Sequence, residues 1–183
     1  MNTDCSFYLD DELKTLGLKY VGRNVLLSRK ASLYRTNCIS IGDNTRIDDF
    51  CVLSGNIEIG KNVHIAVGCY FFAGEAGIEI QDYCGVSSRT AIYAESDDYS
   101  GNYLSNPTFD SSKRNVTRKK VILKKHVLIA TGCTIMPGAV IEEGCAVGAM
   151  SLVNKSLKHP WFIYLGSPCR ALKVRSQKML DLL

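Results

Sequence analysis

The chain has 183 residues and a net charge of only +4, from 22 basic and 18 acidic residues. The basic residues are scattered, not gathered into the stripe a nucleic-acid partner needs, and no run of about 18 uncharged apolar residues offers a membrane span. Asp4, Asp10, Asp11 and Glu12 replace the basic n-region of a secretion signal, so one soluble cytoplasmic domain is expected, its eight cysteines reduced.

Residues 1–20 read as a capping segment. Asp10 can cap a short helix that carries Leu13 and Leu16 and stops at Gly17. From Val21 onward a period of six takes over. Val21, Leu27, Leu33 and Ile39 lead into Ile41, Ile47, Leu53, Ile59, Ile65 and Phe71. A second unbroken run holds Leu123, Ile129, Ile135, Ile141, Val147 and Val153, with Ile80, Val86 and Ile92 between. If about a quarter of residues are Val, Ile, Leu or Phe, six hits in register arise by chance about once in four thousand trials.

A period of six turns a helix through about 600°, which scatters these residues over three faces, so helix is excluded. The period is even and suits strands, and the position two before each aliphatic residue faces the same way. That position holds Thr45, Cys51, Val63, Cys69, Cys84, Cys133, Ala139, Cys145 and Ser151. Large and small residues alternating on one inner face describe a narrow three-sided prism over residues 21–155, in about six coils and roughly 30 Å long at about 4.8 Å per strand. The five inward cysteines read as small hydrophobes; Cys5, Cys38 and Cys169 are less constrained, and none has a CxxC partner.

The phase slips by two between Ile39 and Ile41 and by three between Phe71 and Ile80, where Ala73-Gly74-Glu75-Ala76-Gly77 supplies turn chemistry. The polar segment 94–120 lacks the repeat and reads as an external loop. In residues 156–183, Ser167-Pro168 reads as the N-cap and N1 of a helix running through Leu182. The residues preceding the repeat aliphatics point outward, yet in the last coils they are Leu128, Thr134, Val140, Ala146 and Leu152. An apolar outer wall of this kind asks for a partner, so a homo-oligomer is expected.

From Cys38 to Arg175 the chain resembles the hexapeptide-repeat acyltransferases, especially bacterial sugar O-acetyltransferases of surface-polysaccharide synthesis. The segments Val147-Gly148-Ala149-Met150-Ser151-Leu152-Val153-Asn154-Lys155 and Gly166-Ser167-Pro168-Cys169-Arg170 are similar to the family's CoA-proximal end. The resemblance implies a left-handed parallel β-helix, a homotrimer, and transfer from acetyl-CoA to a sugar acceptor. It also implies that Ala130, Thr131, Gly148 and Ala149 line the pantetheine arm, with Asn154 where Thr is commoner, and that Lys155, Arg170 and Lys173 face the phosphates.

Acyl transfer needs a base. Of the three histidines, His126 reads as a solvated corner residue among Lys124 and Lys125, and His159 as a packing residue beside Pro160-Trp161. His64 precedes inward Ile65 and so faces outward, with Gly85 one coil later leaving room beside it. It is the candidate base. The galactoside and maltose acetyltransferases carry a His-Pro pair in the loop matching residues 94–98; this chain has Glu95-Ser96-Asp97-Asp98-Tyr99 instead and resembles a polysaccharide-linked subgroup with the same Asp-Asp-Tyr-Ser-Gly run. Asp98 or Asp97 is expected to orient the His64 imidazole or bind sugar hydroxyls, or else to form the turn before Gly101. The competing readings are an N-acetyltransferase of a nucleotide-linked amino sugar, a zinc hydratase, for which the histidines lack the ligand pattern, and a non-catalytic scaffold.

Overall fold

A computed structural model describes residues 6–182; Cys5 lies outside the described residues. The aliphatic residues of the six-residue repeat stack as three inward columns, one per face of a parallel β-helix. Leu27, Ile47, Ile65, Val86, Ile129 and Val147 form the first. The second holds Leu33, Leu53, Phe71, Ile92, Ile135 and Val153. Val21, Ile41, Ile59, Ile80, Leu123 and Ile141 form the third. Apart from the half-buried Val21 and Leu33, all are fully or almost fully buried. Each contributes about 1.5–3 kcal/mol of burial, and this core is what holds the prism together.

The period of six follows from the corners. Three residues after an inward aliphatic the backbone turns through positive φ: Asn24, Asn44 and Asn62 at successive coils of one corner, then Tyr83, His126 and Gly144. Asn tolerates this conformation better than most side chains, and the Asn24 amide donates to Asn44 Oδ1 at 3.0 Å. The small inward positions have a second task. Cys51, Cys69, Cys84, Cys133 and Cys145 direct their thiols at the carbonyls of Ala66, Ser87, Lys124, Gly148 and His159, at 3.1–3.3 Å. Thr45, Thr90 and Ser151 do the same with hydroxyls toward Gly60, Ala130 and Gly148. These donors satisfy buried backbone oxygens at the corners. Burial pushes the Cys84 thiol up to about 12 and raises Cys133 and Cys145 as well, which makes them unreactive packing groups.

The break at residues 73–77 is not a turn. Tyr70–Ile80 runs as one strand around a corner, paired with Val52–Ile59, which bends at the same place. Gly55, at φ +99°, lies so close to Gly74 that a Cβ there would meet its backbone at 2.4 Å. The two glycines let neighbouring coils bend together without losing the ladder.

At the N-terminal end the helix is Asp10–Thr15, so Asp10 is its first helical residue and Leu9 stands at the cap, its N–H satisfied by Glu12 at 2.7 Å. Leu13 is buried, and Phe7 bridges Ser28 to cover the edge of the first coil. At the other end the expected helix over 167–182 is absent. Ser167–Pro168 is a cis peptide in the connection between Phe162–Leu165 and Arg170–Val174, which pair antiparallel, and only Lys178–Leu182 forms a short 3-10 turn. Phe162–Leu165 extends the first face past residue 155, in register with Ala146 and Val147, and its open edge captures Arg170–Val174 as a strand. Tertiary pairing overrides the local helix signal.

Candidate active site

The outward residues of the first face form a column, one per coil: Leu26, Arg46, His64, Gly85, Leu128 and Ala146. His64 is half exposed in this column, with its side chain at 54 %. Gly85 beside it carries no side chain, and Leu128 leans toward the gap to within 3.1 Å of where a Cβ would stand.

The partner of His64 is Asp48, which sequence reasoning missed. His64 Nε2 lies 2.8 Å from Asp48 Oδ2, and Arg46 Nε donates to Oδ1 at 2.7 Å. Burial alone would raise the Asp48 carboxyl, but the bonds from His64 and Arg46 outweigh it and hold the group below the usual carboxylate range. The Arg46 guanidinium lies 5.3 Å from the Phe7 ring centroid, so the N-terminal segment also bears on this cluster. The signal was one of spacing. Asp48 directly follows inward Ile47 and so faces outward, 16 residues before His64 and one coil below it.

Within the chain Asp97 and Asp98 do not touch His64. Both are engaged inside the external loop. Asp97 accepts from Arg114 Nη2 at 3.1 Å and from the Asn106 N–H at 3.2 Å. Asp98 accepts from the Ser100 N–H at 2.6 Å and from Asn115 Nδ2 at 2.7 Å, bonds that lower its carboxyl. The loop is closed at its base by Glu95–Ser96 pairing with Thr117–Arg118. Asp97 keeps 31 % of its side chain exposed, so the loop presents it while holding it still.

His126 is not the solvated residue expected. It is 7 % exposed and stacks on Tyr83 at 5.0 Å with the rings 3° from parallel, and Trp161 lies 5.9 Å away on its other side. Corner side chains on adjacent coils stand one strand spacing apart, which suits ring stacking. Lys124 and Lys125 turn away to Glu142 and Asp82. His159 sits beside Phe162, with ring centroids at 5.5 Å, and its backbone N–H donates to Tyr164 Oη at 3.1 Å.

The corner after the first face brings Ala130 and Thr131 next to Gly148 and Ala149 on the following coil, with Ala130 N–H bonded to Val147 O at 2.9 Å. Thr131 Oγ1 donates to Ser88 O at 2.7 Å and lies 3.3 Å from Ser88 Oγ, which adds a serine from the coil before. Gly148 lies close under the C-terminal hairpin. Leu165 of the C-terminal hairpin fills its place, 2.5 Å from where a Cβ would stand. Further along, Lys155 and Arg170 line one cavity of about 490 Å³ together with Lys158 and His159. Lys173 is not in that lining; it lies on the hairpin opposite Ile163. Asn154 is exposed at the corner preceding Lys155. Among the described residues Lys155, Lys158, Arg170 and Lys173 make no ion pair. No three His, Cys, Asp or Glu residues among those described converge as a metal site, and no described helix is long and apolar enough to cross a membrane.

A β-helix built from six-residue repeats is the architecture of the hexapeptide-repeat transferases, and the chain belongs to that family, as its relatives show. The profile described as bacterial transferase hexapeptide (six repeats) matches residues 38–73. Among its relatives, a dTDP-4-amino-4,6-dideoxy-D-glucose acyltransferase of Escherichia coli is 42 % identical over 179 residues, covering 96 % of this chain and 92 % of the relative. The crystal structure of AntD, an N-acyltransferase from Bacillus cereus, superposes with a TM-score of 0.94 at 51 % identity, covering 97 % of this chain and 95 % of that one; this variant is bound to dTDP-4-amino-4,6-dideoxyglucose and coenzyme A. A putative lipopolysaccharide biosynthesis O-acetyl transferase, WbbJ of E. coli K12, is 25 % identical over 174 residues, covering 82 % of this chain and 85 % of the relative. The chain is an acyltransferase of this family.

Proposed function

We propose that this protein transfers a short acyl group from a CoA thioester to the amino group of a nucleotide-linked amino sugar. The observation that carries this reading is the 51 % identity, spread over nearly the whole of both chains, with an N-acyltransferase crystallised with dTDP-4-amino-4,6-dideoxyglucose and coenzyme A. It favours an amine over the sugar hydroxyl first expected from the sequence. An acyl-CoA donor and a nucleotide-linked acceptor suit a reaction in the cytoplasm, where free thiols also persist.

The donor enters from the C-terminal end of the groove. Lys155 and Arg170, with Lys158, are cations without carboxylate partners around one cavity, a suitable seat for phosphates. The arm then passes Ala130, Thr131 and Ala149 toward Gly85, whose missing side chain leaves space for the thioester beside His64. The acceptor nitrogen attacks the thioester carbonyl, so that an N–C bond forms and, as the tetrahedral intermediate collapses, the C–S bond breaks. His64 takes the amine proton, and the departing sulfur receives a proton to leave as CoA thiol.

Asp97 and Asp98 belong to the acceptor side. Variants of AntD were crystallised with a serine replaced and, ten residues further on in that chain, an aspartate. Here Ser87 and Asp97, and equally Ser88 and Asp98, stand at that interval. The serines lie at the corner before Ala91–Tyr93 and the aspartates beyond it, on the loop. The outward-facing Phe50, Tyr70, Phe72 and Leu128 supply apolar surface for a homotrimer.

The test is CoA release from acetyl-CoA and 3-hydroxybutyryl-CoA with dTDP-linked 4-amino sugars, their 4-hydroxy counterparts and free sugars. Turnover restricted to amino acceptors is expected, with a loss of about 10²–10⁴ in rate for His64→Ala. Preference for a hydroxyl acceptor would overturn the reading.

A further inference from the structure

We propose that Asp48 is the positioning residue of the His64 base, holding its ring so that Nε2 carries the proton and Nδ1 presents the lone pair to the acceptor. The inference rests on the acyl-transfer reading above and deepens it. It begins with register. Arg46 pairs with His64 and Ile47 with Ile65, so Arg46 and Asp48, on either side of inward Ile47, both face outward next to the histidine.

The carboxylate is divided between two donors. Oδ1 takes Arg46 Nε at 2.7 Å and Oδ2 takes His64 Nε2 at 2.8 Å. An ionised carboxylate only accepts hydrogen bonds, so the ring nitrogen facing it must bear the hydrogen. In a neutral imidazole the other nitrogen is then the base, and among the described residues no side chain or backbone group bonds to it. Arg46 keeps Oδ1 occupied, which stops the carboxylate from rotating away, and Phe7 lies against Arg46 in turn. Asp48 itself is only 18 % exposed, while the His64 side chain is 54 % exposed. The anchor is shielded and the base is open to the groove. A base held this way loses little entropy on reaching its reactive geometry.

The experiment is a double-mutant cycle in the full-length protein with acyl-CoA and a dTDP-linked 4-amino sugar, using Asp48→Asn, His64→Ala and the pair. If Asp48 acts through His64, Asp48→Asn lowers kcat at least tenfold in the wild-type background, changes either KM by less, and has no further effect once His64 is alanine. Asp48→Glu restores part of the rate. Equal losses in both backgrounds, or a wild-type rate for Asp48→Asn, would overturn the proposal. Nitrogen-15 NMR of His64 in the resting protein reads the same bond without turnover. A single tautomer protonated at Nε2 is expected in the wild type, and averaging of both in Asp48→Asn. Averaging already in the wild type refutes the positioning role even if the acceptor reading holds. A fixed tautomer with no acyl transfer to amino sugars refutes the acceptor reading alone.

Discussion

Replacing Gly144 with alanine tests how the C-terminal end of the prism is closed. Gly144 sits at φ +67°, and a Cβ there would fall 2.2–2.4 Å from three atoms of the Trp161 indole. That indole lies across the glycine to reach His126, and Arg175 holds it there: Nη1 donates to His126 O at 3.0 Å and Gly144 O at 2.9 Å, with the guanidinium 5.9 Å from the indole centroid. The cost has two parts. Alanine in left-handed backbone costs about 1–2 kcal/mol, and forcing a group into packed space costs about 1–3 kcal/mol more. Gly68 separates them, because it has φ +68° and nothing within 4 Å. Gly68→Ala should therefore show the backbone cost alone, and Gly144→Ala should exceed it by about 1–3 kcal/mol, or roughly 2–12 °C in Tm for a chain of this size. Denaturant unfolding followed by circular dichroism measures both, and Trp161 fluorescence reports the displaced ring in Gly144→Ala only. Equal losses in the two variants would refute the argument that Gly144 exists to seat Trp161.

The acid limb of stability is set by carboxylates held low in the folded state, Asp48 among them. Their folded pKa values lie below the unfolded ones, so their contribution is present above about pH 4 and is lost as pH falls through the folded values; melting between pH 6 and pH 3 should show a steeper decline in the wild type than in Asp48→Asn. In the external loop, Arg114→Ala removes the partner of Asp97, so on the proposed reading KM for the nucleotide-linked acceptor should rise several-fold while KM for acyl-CoA stays within twofold. Equal changes in both would place Asp97 outside the acceptor site.

Much of the fold was legible because the repeat writes the inward columns directly into the sequence. Ile41 and Ile59 are neighbours in space for the same reason that they are 18 residues apart, and the small inward residues follow two positions before. What escaped was whatever the repeat does not encode. His126 looked solvated because its neighbours in sequence are lysines, but its neighbours in space are Tyr83 and Trp161, one coil below and one segment above. Gly74 and Gly77 suggested a turn, because glycine marks both a turn and a strand bending around a corner. Ser167-Pro168 had the chemistry of a helix start, and only the open edge of Phe162–Leu165 decided otherwise. Leu165, which reaches Gly148 from the C-terminal hairpin, likewise lies outside the repeat and could not be read from it.

The site shows the same division. His64 could be found because facing outward is a matter of parity, whereas its partner lies one coil away, and finding it requires winding the sequence at 18 residues per turn. Wound that way, Asp48 and Arg46 fall beside His64, whereas Gly85 stands 21 residues further on and Leu128 another 43, because the bend at residues 73–77 and the external loop lengthen those coils. The solenoid thus acts as a ruler with divisions of about 4.8 Å. Chemistry that loses about a hundredfold in rate for an error of 1 Å cannot tolerate a slip of one division. That constraint fits the placement of the external loop over 94–120, which leaves the column from Arg46 to Ala146 unbroken, while Phe162–Leu165 continues it by one more strand. On the proposed reading, the column fixes the distance between base and donor seat, and the loop is left to fit the acceptor.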